Sequence, residues 1–125
     1  MLEIINTEKA PKAIGPYSQA VKAGSLLFVS GQIPFDPEKN ELIQGPAEIQ
    51  AEQVLKNLSA VITAGGGDMF KVIKTTVFLT NMDDFPKVNE VYEKHFGDHR
   101  PARACVAVAT LPKNVDVEID AIVEV

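Results

Sequence analysis

The sequence predicts a single α+β domain, a mixed β-sheet carrying two helices on one face, and three observations lead there. Ala51, Val54, Leu55, Leu58, Val61 and Ile62 fall at helical spacing, with Glu52, Gln53, Lys56, Asn57 and Ser59 on the opposite side. Phe85, Val88, Tyr92 and Phe96 repeat that pattern in a shorter stretch. The remaining apolar residues sit in short alternating or β-branched runs. The predicted order is strand, strand, short strand, helix, strand, helix, strand, strand, which is α+β and not a regular alternation.

Taken in order, residues 1–13 read as an extended strand followed by a loop through Ala10-Pro11. Ile14-Gly-Pro-Tyr17 is a turn signal, and Tyr17 reads by default as a loop residue covering the core's edge. Ser25–Ile33 is a strand broken near Gly31. A strand glycine marks either a plain bulge or a close backbone approach, so Ser30-Gly31 either bends the strand or presents polar backbone to a ligand. Pro34–Glu41 is a turn region, with Leu42-Ile43 a short return strand.

The first helix spans roughly Ala47–Ala64 and stops at Gly65-Gly66. Its apolar stripe is core, and the glycosylation-like triplet Asn57-Leu-Ser59 lies mid-helix, where it carries no meaning. Val72–Thr80 is a central strand. Asn81–Asp84 offers an N-cap, Pro86 fits the first turn of the second helix, and Gly97 ends it. Asn89 reads as a solvated residue on that helix.

Pro101–Pro112 is a strand with prolines at both ends. Alternation puts Arg103, Cys105, Ala107 and Ala109 on one face and Ala104, Val106 and Val108 on the other. Arg103 is either a solvated strand-end arginine or a fixed guanidinium suited to a carboxylate or phosphate. Val115–Val125 alternates almost perfectly, with Asp116, Glu118, Asp120 and Glu124 opposite the apolar face and Ile122 the exception. The short connection Leu111-Pro-Lys-Asn114 predicts that the two strands are antiparallel neighbours. Their polar faces would then bring Arg103 and Glu118 to one volume. Cys105, Ala107, Ala109 and Ile122 make the helix-free sheet face too apolar for water, which predicts self-association.

Composition narrows the function classes. The 125 residues make one domain, 1–125, and 46% hydrophobic with 23% charged residues is ordinary for a globular protein. No apolar run approaches the roughly 20 residues that span a bilayer, and the start shows no signal-peptide pattern. A single cysteine excludes an internal disulfide and fits a reducing cytoplasm. The net charge of −5 and the lack of a Lys/Arg cluster argue against nucleic acid. His95 and His99 form no metal spacing with Cys105 and are expected to decorate a helix end. Gly65-Gly-Gly67 closes a helix where a phosphate cradle would open one, so no cofactor is expected.

Several separated motifs carry a family resemblance: Ile14-Gly-Pro-Tyr17-Ser, Ser30-Gly-Gln-Ile-Pro34, Lys74-Thr-Thr-Val-Phe78, Val88-Asn-x-Val-Tyr92, Pro101-Ala-Arg103-x-Cys105-Val, Leu111-Pro and Val117-Glu118-Ile119. Together, from about Ala10 to Val125, they resemble the RidA/YjgF family of reactive-intermediate deaminases. The resemblance implies a chorismate mutase-like fold and a homotrimer with a barrel-like β core and pockets between subunits. The implied reaction is hydrolysis of 2-imino acids such as 2-iminobutanoate and 2-iminopropanoate to 2-keto acids and ammonia. It further implies Arg103 and Glu118 as catalytic residues, with Tyr17, Ser30, Gly31, Asn89, Arg103 and Cys105 lining the substrate site. Ala104, Ala107 and Thr110 depart from the commonest family pattern, which leaves substrate preference open. The competing classes are a non-catalytic keto-acid-binding regulatory trimer and an endoribonuclease.

Overall fold

The structure, a computed structural model, describes residues 1–125. The elements are β1 (Leu2–Ile5), β2 (Ala20–Ala23), β3 (Leu26–Gln32), β4 (Phe35–Asp36), β5 (Glu41–Leu42), α1 (Ala47–Ala64), β6 (Val72–Leu79), α2 (Phe85–Phe96), β7 (Ala102–Ala107) and β8 (Val117–Glu124). Six strands form one mixed sheet in the order β1-β2-β3-β8-β6-β7, and β4 with β5 makes a separate ribbon. Only β6 and β7 are parallel, as their connection through α2 requires.

Both helices lie on one sheet face. Val54, Leu55, Leu58, Val61 and Ile62 of α1 are fully buried, as are Val117, Ile119 and Val123 of β8. Burying side chains of this size stabilises the fold by about 1.5–3 kcal/mol each. The polar positions of α1 are used as well. Buried Asn57 donates from Nδ2 to the carbonyls of Ile33 (3.0 Å) and Phe35 (2.8 Å), which ties the β4–β5 ribbon to the helix. Gln50 Nε2 donates to Asp116 Oδ2 at 3.0 Å while Asp116 N donates to Gln50 Oε1 at 2.8 Å, fixing the start of β8.

Three sequence expectations need correction. β2 was absent from the predicted order; Gly24-Ser25 closes a two-residue hairpin to β3, with Gly24 at φ +60. Such a turn favours glycine at its first central position. β7 and β8 are not neighbours, because β6 lies between them and pairs with both. The link after β7, residues 108–116, is longer than the expected four residues; it adopts a 3₁₀ turn at Pro112–Asn114 and passes over β6 to reach β8. Finally, Cys105 and Ala107 register with Val77 and Leu79, two buried residues on the helix side. They therefore do not belong to the uncovered face. That face instead carries Val21, Phe28, Val106 and Ile122 among Lys74, Thr76, Glu118 and Asp120. It is still apolar in patches, with Phe28 and Val106 more than 40% exposed.

The histidines divide. His95 sits in the last turn of α2 and pairs with Glu52 of α1 at 2.8 Å, whereas His99 lies past the helix and bonds the Val72 carbonyl at 2.7 Å. No group of three His, Cys, Asp or Glu side chains is placed to hold a metal ion, and no helix is long and apolar enough to cross a membrane.

Candidate functional site

Arg103 stands on edge strand β7, facing α2. Its register partner on β6 is Thr75, a fully buried residue whose hydroxyl bonds Tyr92 Oη at 2.7 Å. Phe85, Asn89 and Tyr92 follow one another at i, i+4 and i+7 on α2, so one stripe of the helix meets the arginine. Arg103 Nη1 donates to Asn89 Oδ1 at 2.7 Å. The guanidinium carbon lies 4.8 Å from the centroid of the Tyr92 ring and 5.3 Å from that of Phe85. No carboxylate pairs with it. An arginine held by neutral groups keeps its charge and most of its five donors for a ligand. It opens onto a cleft of about 350 Å³ that runs along α2 past Pro101 and Arg100.

Glu118 does not share that cleft. It registers with Phe78 and points through the opposite, uncovered face. There it lies against the irregular stretch of β3 between Val29 and Gln32, where the register with β8 shifts. Gly31 makes room for it: a Cβ at that position would stand 2.8 Å from Glu118 Cδ and 3.1 Å from Cγ, with Oε2 in overlap. Partial burial, and then the charge of Asp120, push the Glu118 carboxyl above the ordinary glutamate value. Ser30 fixes the loop before β2 to this bulge, its Oγ donating to the Ser18 carbonyl at 2.6 Å and its amide to that of Gln19 at 2.9 Å. Tyr17, 55% exposed, stands beside that attachment. A depression on this face, about 410 Å³, is lined by Ser18, Ser30, Phe28, Lys74 and Asp120 among others.

The expected site residues thus fall into two groups on opposite sides of the sheet. Arg103 and Asn89 lie on the helix side, with Cys105 next along their strand. Tyr17, Ser30, Gly31 and Glu118 lie on the other. Convergence of Arg103 and Glu118 within one chain, expected from adjacent strands, is ruled out because β6 lies between their strands and the two side chains leave the sheet on opposite faces. The Cys105 thiol is half-buried and packs against the core; burial raises its pKa, and the Arg103 charge only partly opposes this. That is a packing thiol, not an activated nucleophile. Sequence reasoning assigned Phe85 and Tyr92 to the core alone. Their spacing with Asn89 is the signal that marks them as the arginine's cradle. Asp120, whose charge acts on Glu118, was likewise read only as part of a polar face.

Comparison with known proteins finds a match to the family model described as Endoribonuclease L-PSP over residues 7–125. A mouse protein named 2-iminobutanoate/2-iminopropanoate deaminase is 48% identical over 120 residues, covering 96% of this chain and 89% of the relative. The crystal structure of a putative endoribonuclease from Thermotoga maritima superposes with a TM-score of 0.96 at 59% identity, covering 98% of this chain and 97% of the other. That of E. coli TdcF with bound serine gives a TM-score of 0.94 at 45% identity, with 98% of each chain covered.

Proposed function

The chain belongs to the RidA/YjgF family, described also as endoribonuclease L-PSP, and from that premise we propose that it hydrolyses 2-imino acids and their enamine tautomers to 2-keto acids and ammonia. The observation that carries this reading is Arg103, poised at a cleft with its charge unspent. A planar guanidinium matches a carboxylate with two parallel hydrogen bonds, and every substrate of this class has one. The serine in the E. coli relative is a ligand of the same carboxylate-bearing kind.

The second half of the chemistry comes from another copy of the chain. In the proposed homotrimer, the Arg103 cleft of one copy is closed by the Tyr17, Ser30, Gly31 and Glu118 side of its neighbour. Arg103 holds the carboxylate and so fixes the adjacent C=N carbon. Glu118 accepts a proton from water as the water's oxygen bonds to that carbon and the C=N π pair moves to nitrogen; Glu118 passes that proton to the nitrogen, giving a carbinolamine. Glu118 then takes the carbinolamine's hydroxyl proton and delivers it to the nitrogen as the C–N bond breaks, so ammonia leaves as the keto group forms. A carboxyl group whose pKa lies above the ordinary range suits both halves of this exchange. The backbone at Ser30-Gly31 and Cys105 lines the nitrogen's surroundings. The reaction consumes only water, so no cofactor enters it. A cytoplasmic location belongs to the same proposal.

The test is a coupled assay. Threonine dehydratase generates 2-iminobutanoate, and ammonia release is followed with and without this protein. An accelerated release, lost in Arg103→Ala, is expected. Unchanged release alongside tight keto-acid binding would favour a regulatory binding module. Cleavage of RNA by the purified protein would favour the ribonuclease that the family description names, against which the net charge of −5 argues.

A further inference from the structure

The geometry points to Tyr92 as the positioning residue of the arginine clamp, an inference that rests on the function proposed above. Tyr92 is 7% exposed, yet its ring faces a guanidinium that opens onto solvent. Its hydroxyl bonds the Thr75 hydroxyl at 2.7 Å, and Thr75 is the β6 residue in register with Arg103. The ring is therefore fixed to the strand that neighbours the arginine, and Arg103 lies over its face at 4.8 Å. Asn89 Oδ1 accepts from one guanidinium nitrogen, and Phe85 supplies a second ring at 5.3 Å.

Such a cradle restricts the guanidinium without neutralising it. A carboxylate at that position would hold the arginine as well, and would then compete with the substrate's own carboxylate. Aromatic faces attract the cation and leave its N–H donors free. The ordering of a long, flexible side chain is thereby completed before the ligand arrives, which lowers the cost of binding. Tyr92 lines the cleft beside Arg103, and the role assigned to it is to act through the arginine.

Three variants separate this from a plain packing role. Tyr92→Phe keeps the ring and loses the Thr75 bond; Tyr92→Leu loses the ring face. Phe85→Leu weakens the same cradle at a less buried position, and serves if Tyr92→Leu does not fold. The first readout needs no catalytic activity. In side-chain nitrogen–proton NMR spectra, the Arg103 guanidinium should give ring-current-shifted signals with slowed rotation. These should persist in Tyr92→Phe and collapse toward free-arginine positions in Tyr92→Leu, or shift part of the way in Phe85→Leu. The second readout is titration with 2-oxobutanoate beside steady-state kinetics. Tyr92→Leu should weaken the keto acid about fivefold and raise KM in proportion, with kcat changed less than about twofold. Free-arginine signals in the parent protein would overturn the positioning role even if the deaminase activity is present. So would a variant of normal affinity whose only defect is a lower melting temperature. Ordered Arg103 signals in a protein that releases no ammonia would leave the cradle standing and retire the deaminase reading instead.

Discussion

Gly31→Ala tests the Glu118 half of the site with one added methyl group. Gly31 is exposed and lacks a left-handed backbone, so alanine is sterically acceptable to the main chain itself. The new Cβ would lie 2.8 Å from Glu118 Cδ and overlap Oε2. Ordinary contact needs about half an ångström more at Cδ, and the carboxylate oxygens, at the end of the lever, must move by roughly 1 Å. The obstacle is the far end of a flexible side chain, so the fold yields cheaply. Reduced freedom of the unfolded chain offsets part of that cost by about 0.4–1 kcal/mol. The melting temperature should therefore stay within a few degrees of the parent. Activity should not, because a displacement of that size in a proton-transferring group costs about 10²-fold. The assay is ammonia release from freshly generated 2-iminobutanoate, with circular dichroism melting as the stability control. Near-normal turnover in Gly31→Ala would show that the carboxylate does no chemistry where it stands.

The remaining predictions concern charge and assembly. Arg103→Ala should lower kcat/KM by about a hundredfold or more, since two charge-assisted bonds of about 1.5–3 kcal/mol are lost; Arg103→Lys should fail nearly as badly because an ammonium lacks the planar fork, and near-normal turnover with lysine would refute the clamp. Glu118→Gln should keep 2-oxobutanoate affinity while turnover falls about 10²–10⁴-fold, and parallel losses in calorimetry and rate would reduce Glu118 to an arginine partner. Because Glu118 titrates above the ordinary glutamate value, the acidic limb of kcat against pH should lie above about 4.3 and vanish in the glutamine variant. A raised folded-state pKa means that stability falls as pH rises through it, so Glu118→Gln should flatten that decline in a pH series of melting curves. Light scattering at micromolar concentration should report three times the 13.6 kDa chain mass.

Local periodicity was enough to read both helices. The α1 boundaries, Ala47 and Ala64, coincide with the predicted ones because an amphipathic stripe and a Gly65 stop agree there. The last strand was legible for a similar reason, its two-residue alternation leaving one register for burial. Strand neighbours were not legible. The four residues Leu111–Asn114 read as a hairpin link, but β7 ends at Ala107 and β8 starts at Val117, so the connection runs over residues 108–116 and is long enough to cross β6, which nothing within it announces. β6 lies between the two strands because Val77 and Leu79 are core residues whose strand pairs along both of its edges, a demand made by residues about 30 positions away. The same non-local fact moved Cys105 to the helix side and separated Arg103 from Glu118. β2 was missed although Gly24-Ser25 is a recognisable hairpin turn, since four residues of modest hydrophobicity give little alternation to detect.

The separation of Arg103 and Glu118 makes a last prediction about mixed assemblies. If each site takes its arginine from one copy and its glutamate from the next, two inactive variants can repair each other. Arg103→Ala chains supply intact Glu118, and Glu118→Gln chains supply intact Arg103. When equal amounts are unfolded and refolded together, a site is whole only when an arginine-bearing chain precedes a glutamate-bearing one. With random assembly that is about one site in four, in any closed ring or two-fold dimer whose sites lie between copies. The mixture should therefore recover about a quarter of the parent activity, from two components each at 1% or less. Recovery should rise with mixing time if unfolding is omitted, at the rate at which subunits exchange. The double variant Arg103→Ala/Glu118→Gln mixed with parent chains gives the opposite control. In that mixture also one site in four is whole, so activity falls to about a quarter of an all-parent sample at the same total concentration. Sites completed within a single chain would behave differently on both counts. The first mixture would stay inactive, and the second would keep half its activity. The intervening strand β6 makes that outcome geometrically inaccessible, and observing it would mean that β7 and β8 do not hold the places described for them.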